Sequence, residues 1–285
     1  MKALIKKDNL LYYIVAIILV GLLLFGTFYD LEISKKIVTE PNPFNIFFES
    51  FGWIVGYSFV PFLSCLFFFK RTKSRPLAYL YLIIGNIIGI LGYTLTLKNG
   101  IDYLVEKNVM KEINIFLIAL IGLILTLITY FIGYYNRRHY NKMVALTFIT
   151  LALFITYLIG VELILKPLFS RTRFDDMNGV YDSFTNWYIR GNGGSSFPSG
   201  HTALSAIILF ICCLPDIFKN MKINKKVLYI ISLLYIALMA FARIQIGRHF
   251  LSDVVFSIIY MHLGFLIIVK SKAYKKYVLY KNGDI

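Results

Sequence analysis

Three stretches of the chain collect residue types suited to handling an anion. They are Lys166-Pro-Leu-Phe-Ser-Arg-Thr-Arg173, Gly191-Asn-Gly-Gly-Ser-Ser-Phe-Pro-Ser-Gly-His201 and Arg243-Ile-Gln-Ile-Gly-Arg-His249-Phe-Leu-Ser-Asp253. Lys166, Arg173 and Arg243 supply three fixed positive charges. Guanidinium forks grip phosphate oxygens in pairs of hydrogen bonds, and a lysine adds a point charge. A phosphate monoester carries about −1.5 to −2 at pH 7, so three cations match it. Pro198 and Ser199 suit the start of a helix, proline in the first turn and serine as N-cap. A helix starting there aims the N–H groups of Ser199, Gly200 and His201 at an anion. The glycines before it predict a close approach of backbone to that ligand.

Two histidines complete the set. His249 and Asp253 are four residues apart, so on a helix they share one face. A carboxylate beside an imidazole fixes its tautomer and stabilises its cationic form, as in nucleophile–base–acid arrays. His201 is placed to give a proton to a leaving oxygen. Together these groups predict phosphoryl transfer through a phosphohistidine, with His249 as nucleophile, Asp253 as its partner and His201 as general acid. Arginine and lysine do the charge neutralisation, so neither a metal nor another cofactor is called for.

What must position these residues follows from hydropathy. Of the 285 residues 58% are hydrophobic and 16% charged, against about 45–50% and 25% in soluble domains. Apolar runs give eight candidate spans: 10–29, 51–69, 77–97, 113–135, 143–165, 199–218, 227–242 and 250–269. Each span needs roughly 20 apolar residues, so the expected fold is an all-α polytopic membrane helix bundle. Met1–Asp8 followed by Leu10–Tyr29 imitates a signal peptide, but its apolar run is too long and no small-x-small site follows, so it is read as an uncleaved first span. Cys65, Cys212 and Cys213 lie in apolar runs and predict no disulfide and no metal spacing.

The net charge of +15 would suggest nucleic acid in a soluble protein. Here the positives sit between spans, so no nucleic-acid partner is expected. With the N-terminus inside, inner segments carry 19 of the 30 Lys and Arg and outer segments 11. This bias predicts both termini in the cytoplasm and all three motifs outside the cytoplasmic membrane.

Taken singly, each residue has a plainer explanation. Lys166, Arg173 and Arg243 near span ends can snorkel to headgroups. Gly191–Gly194 can be a turn, His201 a helix cap, and His249–Asp253 a surface pair. Glu162, four before Lys166, either pairs with it or offsets its charge. His262, inside the last span, is expected to hydrogen-bond between helices. Arg171, Arg190 and Arg248 are expected to be secondary phosphate or headgroup contacts at most. Trp187 and its neighbours either anchor the long outer loop at the interface or form a lid over the site. Only the joint occurrence of cations and histidines favours chemistry.

In that order, Lys-x6-Arg, Pro-Ser-Gly-His and Arg-x5-His-x3-Asp resemble the three signature motifs of the type-2 phosphatidic acid phosphatases, or lipid phosphate phosphatases, of the haloperoxidase-like superfamily. The resemblance implies a six-helix phosphatase core over residues 77–285, with motifs at 166–173, 198–201 and 243–253, and a two-helix N-terminal addition over 1–76. It implies the catalytic roles given above for His249, His201 and Asp253, and Lys166, Arg173, Ser199, Gly200 and Arg243 as phosphate ligands. Phe174 stands where proline is usual and Ala242 where serine is usual; neither change removes a charge or a proton-transfer group. The expected activity is metal-independent hydrolysis of a lipid phosphomonoester or diphosphate at the outer face of the cell membrane. A lipid phosphotransferase using the same site is the alternative, and a non-catalytic transporter or scaffold a further one. The sequence sets neither the lipid nor the oligomeric state.

Overall fold

The computed structural model describes residues 10–191 and 193–280. These form helices and turns, with no strand among the described residues. Eight helices are long and apolar enough to cross a membrane: α1 (Leu10–Ile37), α2 (Pro43–Phe68), α3 (Arg75–Glu106), α4 (Ile115–Tyr135), α5 (Arg137–Phe169), α6 (Gly200–Ile217), α7 (Lys225–Gln245) and α8 (Leu251–Lys270). All eight expected spans appear. The main differences lie at the ends, where α1 and α3 run on by two turns or more and α2 begins eight residues earlier. Hydropathy stops at the first charge, whereas backbone hydrogen bonding continues beyond it.

The early start of α2 is written locally. The Asn42 side chain accepts the N–H groups of Phe44 and Asn45 at 3.1 Å, and Asn45 Oδ1 accepts the Asn42 N–H at 2.9 Å. Pro43 needs no donor in the first turn. The helix breaks at Gly52, where a Cβ would lie 2.7 Å from Met239 Cε. That closeness seats α2 on α7, and Tyr235 donates to the Gly52 carbonyl at 2.6 Å.

α5 to α8 share the core, in which Ile149, Leu153, Val161, Ile207, Leu209, Ile236, Met239, Val254 and Met261 are all but fully buried. α1 crosses the start of α8 at Gly26, where a Cβ would lie 2.9 Å from the Ser252 nitrogen. α3 and α4 meet through small residues, as membrane helices do when backbones approach closely. A Cβ on Gly122 would lie 2.5 Å from Thr94 Oγ1 and 3.1 Å from the Ile90 carbonyl, whereas one on Gly21 would have no neighbour within 4 Å. Gly122→Leu is therefore expected to destabilise the protein by about 1–3 kcal/mol through overpacking. Gly21→Leu should leave the thermal midpoint in detergent unchanged, so equal midpoints for the two variants would contradict this seam.

Candidate active site

α5 loosens into a π-helix over Tyr157–Leu165 before its last turn, Lys166–Phe169. Such widenings frequently mark functional sites. Here it precedes Lys166, whose ammonium lies 2.7 Å from Glu162 Oε1. The same carboxylate oxygen accepts the Tyr157 hydroxyl at 2.8 Å. Glu162 thus pairs directly with Lys166.

Beyond α5 the chain folds back on itself. The N–H groups of Gly191, Gly194 and Ser196 donate to the carbonyls of Phe169, Ser170 and Arg171 at 2.7, 2.9 and 2.8 Å. A Cβ on Gly191 would lie 2.6 Å from the Ser170 oxygen. These glycines admit the chain's own backbone, in place of the ligand approach anticipated from sequence. Ser199 caps α6 and is fully buried. Its hydroxyl lies 2.9 Å from Thr202 Oγ1, and its N–H donates to the Asp253 carbonyl at 3.3 Å. Ser199 therefore fixes the helix start, while Gly200 and His201 reach the cavity.

The cavity, of about 710 Å³, lies where the broken middle of α2 meets the ends of α3, α5, α6 and α7. Lys166, Arg173, Gly200, His201, Arg243 and His249 all line it. Arg173 Nε, Arg243 Nε and His201 Nε2 are buried polar atoms with no hydrogen-bond partner. Leaving the two guanidinium N–H groups unmet is costly, and an anion bound beside them would satisfy them. The His201 ring interacts with the Glu49 backbone and sits edge-to-face with Trp53 and Tyr103, at centroid distances of 6.1 and 5.4 Å.

His249 lies on the turn before α8. Its Nδ1 is 2.5 Å from the Ser196 carbonyl oxygen. Only an Nδ1–H can donate there, so the lone pair resides on Nε2. Asp253 Oδ2 is 3.9 Å from Nδ1. The carboxylate acts on the ring partly through Ser196, whose hydroxyl donates to Oδ2 at 2.5 Å. Oδ2 also accepts the Phe250 N–H at 2.9 Å. The i,i+4 relation is therefore that of a helix cap, and not of two residues on one helix face. Burial pushes the His249 pKa well below the usual histidine value of 6.5, and the positive charges of Arg243, Arg173 and Lys166 and the His201 ring add to the effect. The shift favours the neutral ring, the form that can act as a nucleophile.

Several residues take roles other than those expected. Arg171 is fully buried and makes no contact with the cavity; it binds Asp253 at 2.5 Å and Asp30 at 3.0 Å. His262 bonds within its own helix, Nδ1 lying 2.8 Å from the Ile258 carbonyl. Trp187 is no lid: it donates to Thr27 Oγ1 at 2.8 Å and packs on Phe197 and Phe256. Arg248 does line the cavity and is held by Glu106 at 2.9 Å and Asp175 at 3.2 Å.

The sequence reading missed Glu49, which is buried against Arg243 at 3.0 Å, with Lys107 and Arg248 each at 3.7 Å. It missed Asp30 as well. Both are acids at the edge of apolar runs, and ionisable residues at membrane depth are functional candidates by default. That signal was available.

Residues 143–277 match the family model of the PAP2 superfamily, whose members are generally phosphatases acting on phosphate esters. Neither the curated proteins nor the solved structures compared with the chain contain a match.

Proposed function

Since residues 143–277 form a PAP2-superfamily segment, we propose that the chain is an integral membrane phosphatase acting on a lipid phosphomonoester or diphosphate. One observation carries the reading: His249 Nδ1 is tied to the Ser196 carbonyl, which leaves Nε2 to a cavity that Lys166, Arg173, Arg243 and His201 also line. In the first step Nε2 attacks phosphorus, the P–O ester bond breaks, and His201 protonates the departing oxygen. In the second, His201 takes a proton from water, which attacks phosphorus; the P–N bond breaks and inorganic phosphate leaves. Lys166, Arg173 and Arg243 stabilise the equatorial oxygens throughout, and the N–H groups at Gly200 and His201 face the same anion. Ser199 supports them as the cap of α6, and Asp253 steadies the His249 ring.

A lipid suits this position. The cavity opens at helix ends, where a headgroup sits at the interface while its chains stay in the bilayer. The Lys and Arg bias supports termini in the cytoplasm and a site on the outer side of the cell membrane.

The test is phosphate release by purified protein from phosphatidic acid, phosphatidylglycerol phosphate, an isoprenyl diphosphate and a phosphorylated glycolipid. Release is expected from at least one of them without added alcohol and undiminished by a chelator. Release only with an acceptor alcohol would make the protein a phosphotransferase. Strong loss with chelator would overturn the metal-independent route, and no release at all would overturn the enzyme assignment.

Because the His249 pKa is depressed, the acid limb of kcat/KM should fall below pH 6.5. Removing a neighbouring positive charge raises that pKa, so Arg173→Met should move the limb toward neutral pH. The substrate's own ionisation is common to both proteins, so the difference between their profiles reports the ring. Coincident limbs would contradict the electrostatic coupling.

A further inference from the structure

Resting on the phosphohistidine reading, we infer that Asp30, which α1 delivers from outside the family-matched segment, is a positioning residue of this site: it shares the Arg171 guanidinium with Asp253 and so keeps a net negative charge beside His249. The three charged groups are buried, Asp30 at 2% exposure and Arg171 and Asp253 at 0%. Arg171 Nη2 donates to Asp30 Oδ2 at 3.0 Å and Nη1 to Asp253 Oδ1 at 2.5 Å. Its Nε donates to the Thr185 carbonyl at 2.8 Å, and its guanidinium carbon lies 4.1 Å from the centre of the Phe250 ring. Asp30 also accepts the Ser252 N–H at 2.9 Å and the Ser252 hydroxyl. Its two oxygens thus accept from the Arg171 guanidinium and from both the N–H and the hydroxyl of Ser252.

The charge balance gives the arrangement its function. Arg171 and Asp253 alone form a neutral pair. Phosphorylation at Nε2 makes the His249 ring cationic, since Nδ1 keeps its proton. On the cavity side the neighbours are Arg243, Arg173, Lys166 and His201, which all disfavour that cation. A neutral pair behind the ring would offer it little. With Asp30 present, two carboxylates face one guanidinium, and the excess negative charge lies within a dry, preorganised network where it does most. A tie holding α1 to α8 requires the same contacts but not this charge, so charge separates the two roles.

Asp30→Asn keeps the shape and removes the charge. Its kcat is expected to fall about 10- to 100-fold, by analogy with the loss when a metal-bound histidine is deprived of its outer partner, with KM within about twofold of the parent. Asp30→Asn combined with Arg171→Gln removes one charge of each sign and restores the net negative charge. This double variant is expected to recover several-fold in kcat over Asp30→Asn. If Asp30→Asn fails to fold, the double variant carries the test alone, with kcat expected within about tenfold of the parent. Unchanged kcat in a folded Asp30→Asn, a folded double variant slower than the single one, or a double variant more than 100-fold below the parent would each overturn the inference while leaving an active parent enzyme. A parent that releases no phosphate from any lipid phosphate overturns the functional reading and this inference together.

Discussion

Replacement of His249 by alanine is expected to lower phosphate release about 10,000-fold or more, while the protein still reaches the membrane folded. The size follows from the proposed role: the Ser196 carbonyl leaves the His249 Nε2 lone pair to the cavity, and losing a nucleophile costs nearly the whole advantage of covalent catalysis. The cations and the cavity remain, so the variant should still bind a lipid phosphate. Mixing the parent with labelled substrate and quenching in base should trap label on the protein, in a form that acid releases, as a phosphohistidine requires. The variant should trap none. Release at near-parental rates by His249→Ala would remove this residue from the reaction.

His201→Gln is expected to show a loss that depends on the leaving group. An alkoxide leaves poorly and needs a proton as it departs, so hydrolysis of a lipid phosphate should slow about 100- to 10,000-fold, the range of general acid catalysis. Nitrophenolate leaves well without help. With p-nitrophenyl phosphate the first-turnover release of nitrophenolate should slow less than about tenfold, since in the proposed first step the attack by His249 and the charge stabilisation are untouched and only the later hydrolysis of the phosphohistidine needs His201. Equal losses on both substrates would give His201 a binding role in place of acid catalysis. Its unpartnered Nε2 in the cavity wall is the structural basis for expecting the difference.

The motifs alone delimited the cavity's cationic side. Lys166, Arg173, His201, Arg243 and His249 are legible because each is a polar residue at a spacing that apolar spans do not produce by chance. The eight spans were legible as apolar runs long enough to cross a bilayer. What a reading by hydropathy passed over was much of the acidic side. Glu49, Tyr103 and Glu106 lie in helical turns beyond the apolar runs, where hydropathy no longer reports helix. Backbone groups were hidden too. Nothing in the side chain of Ser196 announces that its carbonyl holds the His249 ring, because such a contact depends on how Gly191, Gly194 and Ser196 lie against residues 169–171. Arg171 was misread because spacing shows that it is near Lys166 and Arg173 but not which way it turns.

The seams of α1 with α8 and of α2 with α7 each bury an acid of the first 76 residues against an arginine of the matched segment: Asp30 on Arg171 and Glu49 on Arg243. Deleting one member of a buried pair costs about 3–5 kcal/mol, and total stability is often only about 5–15 kcal/mol. A fragment cut at residue 143 would strand the Arg243 guanidinium and leave Arg171 with Asp253 alone. The family-matched stretch is thus no transplantable module, and a chimera between relatives must exchange these acids and their arginines as sets, with crossover points placed to keep each set in one parent.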